Sequence, residues 1–185
     1  MNICSIQAIL VVLFQTALVL CSDNMPTVQP RDSNTCADPT LAEIYKQAYS
    51  PRRNAHIVNR LTAFVVANIN FNDWQVQNDV YKAWGSPQEF TSPLYVLQTP
   101  AGDDFINIVS ESTDGTVPVA DGFELPIVIA YVYATQVCGS VPLYSVFEAV
   151  AVTHWHTTST VERDELLSFG WIDASTVAFV LPLQS

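Results

Sequence analysis

The chain has few positive charges. Of its 185 residues, 7 are lysine or arginine and 18 are aspartate or glutamate, so its formal net charge is −11. Nucleic acids and anionic membrane surfaces attract proteins through positive side chains, so this balance excludes both as expected partners. The charge favours a soluble protein, because molecules with a net charge far from zero repel one another.

Motifs for catalysis and for cofactor binding are also missing. The sequence has no G-x-S-x-G elbow, H-E-x-x-H zinc motif, P-loop or glycine-rich dinucleotide loop. A glycosidase needs two carboxylates about 5–10 Å apart, and no spacing fixes such a pair among the acidic residues such as Asp103 and Asp104. We therefore expect no cofactor and a non-enzymatic protein, with a glycoside hydrolase as the less favoured alternative.

Only one apolar run is long enough to consider for a membrane. Residues 6–20 are apolar apart from Gln7, Gln15 and Thr16, and Cys21 and Ser22 follow. A membrane-spanning helix needs about 20 apolar residues, so this shorter N-terminal run is typical of a secretory signal peptide. We predict a signal peptide over residues 1–22 and an extracellular mature protein outside the membrane. The first five residues carry no lysine or arginine, which leaves an uncleaved anchor as the alternative.

Cysteine is scarce as well. Cys4 and Cys21 lie in the predicted signal peptide, so the mature chain keeps only Cys36 and Cys138. An even number of cysteines in an oxidising compartment predicts a disulfide, with a catalytic thiol as the alternative. The bond would close a loop of about 100 residues, for which loop-closure entropy gives roughly 4–5 kcal/mol.

What the sequence does contain is internal similarity at intervals of about fifty residues. Residues 93–96 (Pro-Leu-Tyr-Val) recur as residues 142–145 (Pro-Leu-Tyr-Ser), and the earlier Tyr45 matches the tyrosines of both segments. Each copy then has a mid-repeat aromatic residue and closes on an apolar run. The aromatics are Trp74, Phe123 and Trp171, and the closing runs are residues 79–84, 127–133 and 176–181.

Aromatic and β-branched residues in short segments, bounded by turn residues, predict strands. Helical periodicity is present only in residues 61–69 and 161–169, and Thr158 or Ser159 is suited to cap the second of these helices. The matching part of the second copy contains Gly115, Pro118 and Gly122, and we expect an irregular loop there.

We predict an all-β fold of three repeats of about 49 residues in a closed, β-trefoil-like arrangement, with short helices in loops. Four strands per repeat would give twelve, and closure would remove exposed strand edges. A stack of repeats is the alternative. The predicted organisation is an extended arm over residues 23–40 and a domain over residues 41–185. Its repeats cover about residues 41–90, 91–139 and 140–185.

The third copy resembles a secreted repeat domain of unknown function found in fungi and bacteria. Its segments at residues 141–144, 154–158, 162–164 and 170–171 are similar to that family's P-L-Y-R, H-F-Y-T-T, A-E-R and G-Y segments. Residues 35–39 (Thr-Cys-Ala-Asp-Pro) and 138–139 (Cys-Gly) are similar to the cysteine segments of fungal members. The resemblance implies three repeats and a trefoil-like architecture.

This chain departs from the family pattern outside the third copy. The arginine that usually follows the opening tyrosine is replaced by Lys46, Val96 and Ser145, and only the third copy keeps the two threonines. If the family's repeats bind a ligand through these groups, at most the third copy retains an intact site.

The third copy also holds the residues best suited to bind a ligand. His154 and His156 would share one face of a strand, and Trp155 would point to the other and could stack on a sugar ring. The predicted ligand-binding residues are His154, Trp155, His156, Thr157, Glu162 and Arg163. The structural alternative places Trp155 in the core and makes one histidine a partner of a turn. Two imidazoles without a certain third ligand do not predict a metal site.

The sequence thus favours a secreted, non-enzymatic, lectin-like binding module that recognises carbohydrate or a cell-surface ligand. The alternative is a secreted protein-interaction factor, such as an inhibitor or an effector, whose partner is an extracellular protein. The sequence does not predict an oligomeric state.

Overall fold

The computed structural model describes residues 36–110, 112 and 116–184. The predicted signal peptide and residues 23–35 of the predicted arm lie outside the described residues. Within the described part, no helix is both long enough and apolar enough to cross a membrane.

The described chain is mostly β-structure, as predicted. A short 3-10 turn (Pro39–Leu41) precedes nine strands and two α-helices. In chain order these are β1 (Ala42–Ser50), β2 (Ala55–Arg60), α1 (Leu61–Ile69), β3 (Gln75–Trp84), β4 (Ser92–Gln98), β5 (Phe105–Val109), β6 (Glu124–Val132), β7 (Val141–Glu148), β8 (Thr153–Thr157), α2 (Thr160–Ser168) and β9 (Ile172–Val180).

Both predicted helices are confirmed. Helix α1 has the predicted bounds, and α2 begins and ends one residue earlier than predicted. Ser159 caps α2, because its side-chain oxygen accepts a hydrogen bond from the backbone N–H of Glu162 at 3.2 Å. The described residues between β5 and β6 form no helix, as the glycines and the proline of this loop predict.

The strands fall into three sets of three with the same antiparallel pairing. In each set the first strand lies between the other two: β1 pairs with β2 and β3, β4 with β5 and β6, and β7 with β8 and β9. The first two sets form one six-stranded sheet in the order β2-β1-β3-β6-β4-β5. The third set forms a three-stranded sheet in the order β8-β7-β9.

The ends of the third strands join the three sets in a cycle. Trp84 pairs with Tyr131, which joins the first set to the second. Tyr133 pairs with Phe179 through hydrogen bonds of 3.0 and 2.9 Å, and Leu181 returns to Lys82 through bonds of 3.0 and 2.9 Å. The pairing therefore runs from each set to the next and back to the first.

The predicted closed arrangement of twelve strands differs from what the described residues form. They contain nine strands in two sheets, and these sheets do not close into a barrel. The difference arises because the mid-repeat aromatic does not form a strand of its own and instead leads directly into the strand that holds the closing apolar run. Trp74, Phe123 and Trp171 each stand immediately before a third strand, which is exposed along its first half and buried towards its end.

The opening tyrosines do not occupy equivalent positions. Tyr45 is fully buried, as are Leu94 and Leu143, and successive members of this group are 49 residues apart. Tyr95 and Tyr144 follow those leucines and are only half-buried. The alignment by tyrosine was therefore wrong by one residue for the first strand, and a shift of one reverses which side of the sheet a side chain faces.

The predicted disulfide between Cys36 and Cys138 is confirmed, with Cα atoms 5.7 Å apart. The bond packs on Trp84, Tyr133 and Leu181, which lie at the ends of the third strands. The N-terminal segment is also held there by hydrogen bonds. The Ala37 N–H donates to the Tyr133 hydroxyl at 3.0 Å, and the Trp84 indole donates to the Asp38 carbonyl at 2.7 Å.

Replacing both Cys36 and Cys138 with serine is expected to lower the free energy of unfolding by about 4–5 kcal/mol, because the unfolded chain regains its loop freedom. Urea unfolding of the mature protein measures this loss. Cys36→Ser alone should give a similar loss, because either change breaks the bond. A double variant within about 1 kcal/mol of wild type would contradict the expectation.

Candidate functional site

The second strands of the three sets meet in the interior and bring together all three histidines of the chain. Strands β2, β5 and β8 each contact the other two. His56 lies on β2, and His154 and His156 lie on β8. Residues that the sequence separates by about a hundred positions therefore share one polar centre.

His154 is held by a buried carboxylate from the second set. Its Nδ1 lies 2.9 Å from both carboxylate oxygens of Asp104, which is 2 % exposed. The backbone N–H groups of His154 and Phe105 also donate to Asp104 Oδ1, at 3.0 and 2.8 Å. These donors favour the ionised carboxylate, which only accepts hydrogen bonds. The imidazole therefore donates from Nδ1, and this contact fixes the orientation of the ring.

His56, in the first set, makes the corresponding contact with the third set. Its backbone N–H donates to Thr153 Oγ1 at 3.2 Å, and its Nδ1 lies 3.3 Å from the same oxygen. The imidazole also packs edge-on against Trp155, with ring centres 5.0 Å apart. Burial lowers the pKa of His56.

His156 is the most deeply buried of the three histidines, at 2 % exposed. Neither of its ring nitrogens has a hydrogen-bond partner among the described residues. Its pKa is lowered to about 3, chiefly by burial and in smaller part by the nearby His154 and His56, which repel a positive charge. His156 is therefore a neutral imidazole at physiological pH.

A cleft of about 440 Å³ lies beside this centre, between β5 and β9. His154 lines it together with Asn107, Ser145, Ser175 and Thr176, and the apolar lining includes Ile106 and Phe179. Asn107 is 5 % exposed, and its side-chain Nδ2 has no hydrogen-bond partner in the described part of the chain. The Asn107 amide is thus a buried donor left without a hydrogen bond, which costs about 1–3 kcal/mol.

Comparison with protein-family models matches residues 43–181 to the Domain of unknown function (DUF5648). The chain belongs to this family. Neither curated proteins nor solved structures give a significant match. The description of the DUF5648 domain names no activity, so its function has to be argued from the site itself.

In this DUF5648 domain, one of the six residues predicted to bind a ligand lines the cleft, and it is His154. Trp155 is half-buried against His56, and its indole nitrogen is buried without a partner among the described residues. His156 lies in the interior. The side chain of Trp155 is thus partly covered rather than presented as an open stacking platform.

The other three predicted residues form a separate group at the start of α2. The Thr157 hydroxyl donates to Glu162 and accepts from the Ser159 N–H at 3.0 Å. The Arg163 guanidinium lies 4.5 Å from the centre of the Tyr144 ring and donates to Asp164 at 2.7 Å. These contacts fasten α2 to β7 and β8.

Sequence reasoning missed the residues of the second set that complete the site. Asp104 is named there only among the acidic residues, and Asn107 is not among the predicted ligand-binding residues. A usable signal was present, because Asn107 is a lone amide between Ile106 and Ile108 in an otherwise apolar strand. A buried amide in such a strand needs a partner.

Within the described residues, no group of three or more histidine, cysteine, aspartate or glutamate side chains is arranged to hold a metal ion. The His154 imidazole instead directs Nδ1 at Asp104. The cleft lining offers hydrogen bonding by an imidazole and hydroxyls beside an apolar surface.

The buried His156 should make the protein less stable in acid. Its pKa is about 3 in the folded protein and about 6.5 in an unfolded chain, so between these pH values only the unfolded chain takes up the proton. The stabilisation from the neutral imidazole is complete above about pH 6.5. It falls by about 1.4 kcal/mol per pH unit as the pH drops towards 3.

Urea unfolding between about pH 7 and pH 4 measures this dependence. His156→Asn, which introduces the amide that Asn107 supplies on β5, should reduce the slope, while the carboxylates contribute equally to both proteins. Equal slopes for the wild type and the variant would contradict the assignment to His156.

Proposed function

We propose that this chain is a secreted, non-enzymatic carbohydrate-binding protein whose sugar site is the cleft between β5 and β9. The observation that carries the proposal is the cleft lining, where the His154 imidazole and several hydroxyl groups stand beside apolar surface. His154 lines the same cleft, and Asp104 fixes its orientation.

The rest of the lining suits a sugar ring. Sugars present hydroxyl groups around their edges and apolar C–H groups on their faces. The cleft supplies polar groups from Ser145, Ser175 and Thr176, and apolar surface from Ile106 and Phe179. Its volume falls in the range of about 300–1,000 Å³ that is usual for small-ligand sites.

The lining favours binding over hydrolysis. Glycosidases place two carboxylates on either side of the bond that they cleave. The described residues that line the cleft include no aspartate or glutamate, and Asp104 lies behind His154 rather than in the lining. The Nε2 of His154 makes no hydrogen bond to a hydroxyl nucleophile in the described structure.

Export from the cell is part of the proposal. The disulfide supports it, because such bonds persist mainly in oxidising compartments. The apolar residues 6–20 support it independently, as a segment typical of signal peptides.

We further propose that the three strand sets are diverged copies of one repeat, related by an approximate threefold axis as in a β-trefoil. Three features support this relation: the shared pairing, the cyclic joining of the third strands, and a register shift at one common place. The shift follows Tyr45, Leu94 and Leu143, the fully buried residues spaced 49 apart.

A protein partner is the second candidate function, and exposed apolar residues around α1 favour it. Ile69 is 72 % exposed and Phe71 is 88 % exposed, and the helix itself contains no charged residue. A stable complex recovered from secreted proteins, and lost with Phe71→Ser, would support this function. Glycan binding without such a complex would not support this function.

Replacing His154 with alanine should weaken glycan binding at least tenfold, because the ligand loses a hydrogen bond worth about 1.4 kcal/mol at the cleft. A glycan array with the mature protein identifies the ligand, and titration calorimetry then measures the affinity of each variant. The matched control is His56→Ala on β2, outside the cleft, where the imidazole packs against Trp155.

The control variant should bind as the wild type does. If no glycan on the array binds, or if His154→Ala binds as tightly as the wild type, the proposed site is wrong.

A further inference from the structure

The first half of β6 is an exposed strand edge. Residues 124–128 pair with β4 on one side. On the other side β6 meets β3 only at Tyr131, so among the described residues nothing pairs with residues 124–128 there. Pro126 has no backbone N–H, so a further strand would pair with the backbone groups on either side of it. We call residues 124–128 the β6 edge.

The β6 edge is apolar where the corresponding edges of the other sets are more polar. The third strand of each set is exposed along its first half. Residues 75–79 of β3 include one apolar residue and residues 172–176 of β9 include two, whereas residues 124–128 include four. Leu125 and Ile127 are 58 and 60 % exposed. Proteins usually protect free edges with charged residues, so an exposed apolar edge is suited to pair with another strand.

The surroundings of the β6 edge are acidic. Between the end of β3 and the start of β7, residues 85–140 contain seven aspartates or glutamates and no lysine, arginine or histidine. Asp121 and Glu124 are exposed beside the edge and form no ion pair with a described residue. The same edge of a second copy would therefore be repelled, whereas a basic strand would be attracted.

We propose that the β6 edge binds an extended, basic segment of another protein as an additional strand of the sheet. Backbone hydrogen bonds hold the segment, and its side chains alternate between the two faces of the sheet. Apolar side chains of the segment cover Leu125 and Ile127, and its lysines or arginines face Asp121 and Glu124. Residues 124–128 do not line the cleft, so this binding is independent of the proposed sugar site.

Labelled peptides of about ten residues, the upper length of ordinary strands, test the proposal on the mature protein. The first peptide alternates valine with lysine, and the second has glutamate in place of each lysine. The third is the first with every backbone nitrogen methylated. In fluorescence anisotropy the basic peptide should bind with a Kd below about 1 mM. The other two should bind at least tenfold more weakly, because one lacks the positive charge and the other the backbone donors.

Each peptide has a result that overturns the inference. If the basic peptide does not bind below about 1 mM, the β6 edge is not a docking site. Equal binding of the glutamate peptide would contradict a basic partner. Equal binding of the methylated peptide would mean attraction between charges without strand pairing. All three results would leave the sugar site unaffected, because the β6 edge lies outside the cleft.

Substitutions on the third strands locate the site. Ile127→Lys places a lysine on the β6 edge, which is a common way for natural proteins to block pairing at an edge. The matched control is Asn78→Lys, which adds the same charge at the corresponding exposed position of β3. Ile127→Lys should weaken binding of the basic peptide at least tenfold, and Asn78→Lys by less than about twofold. Equal losses in the two variants would contradict the proposed site.

Amide hydrogen exchange gives a readout that needs no variant. Saturating basic peptide should slow exchange within residues 124–128 at least tenfold and leave residues 75–79 unchanged, because strand pairing protects backbone N–H groups. Binding without protection of the β6 edge would overturn the assignment. Sedimentation of the mature protein tests the other occupant. A dimer that Ile127→Lys dissociates would assign the edge to a second copy and overturn the basic partner.

Discussion

The arrangement of the chain depends on the backbone hydrogen bonds that join the ends of β3, β6 and β9 in a cycle. The bonds between Lys82 and Leu181 are decisive, because they return the last strand to the first set. They hold the separate three-stranded sheet against the larger one. The disulfide packs on the same junction, and the cleft exists because β9 is thereby kept beside β5.

Local patterns predicted the elements well and their connections poorly. Helices α1 and α2 and the buried ends of the third strands were predictable because their periodicity is contained in a few neighbouring residues. The position that matches Tyr45 in the other two copies was not predictable, because an apolar residue also precedes Tyr95 and Tyr144. Aligning Tyr45 with these tyrosines or with the residues before them keeps the hydrophobic pattern equally well. The pairing of His154 with Asp104 was also beyond reach, because it joins different strand sets across fifty residues.

Polar character is distributed unevenly over equivalent buried positions of the second strands. Where β2 has Ala55 and Val58, the second set has Asp104 and Asn107, and the third has Thr153 and His156. The first set carries its buried polar groups on β1 instead, where Gln47 and Ser50 are fully buried. The other two sets place desolvated polar groups on or next to their second strands, near the cleft.

The cross-link between Cys36 and Cys138 has a topological consequence. It converts the first two strand sets into a covalent ring, and the third set extends from that ring as a linear tail. A single proteolytic nick within the ring would leave both fragments attached, whereas a nick just after Cys138 would detach the tail from all but its non-covalent contacts. The two halves of the cleft come from opposite sides of that boundary, Asn107 from the ring and His154 from the tail.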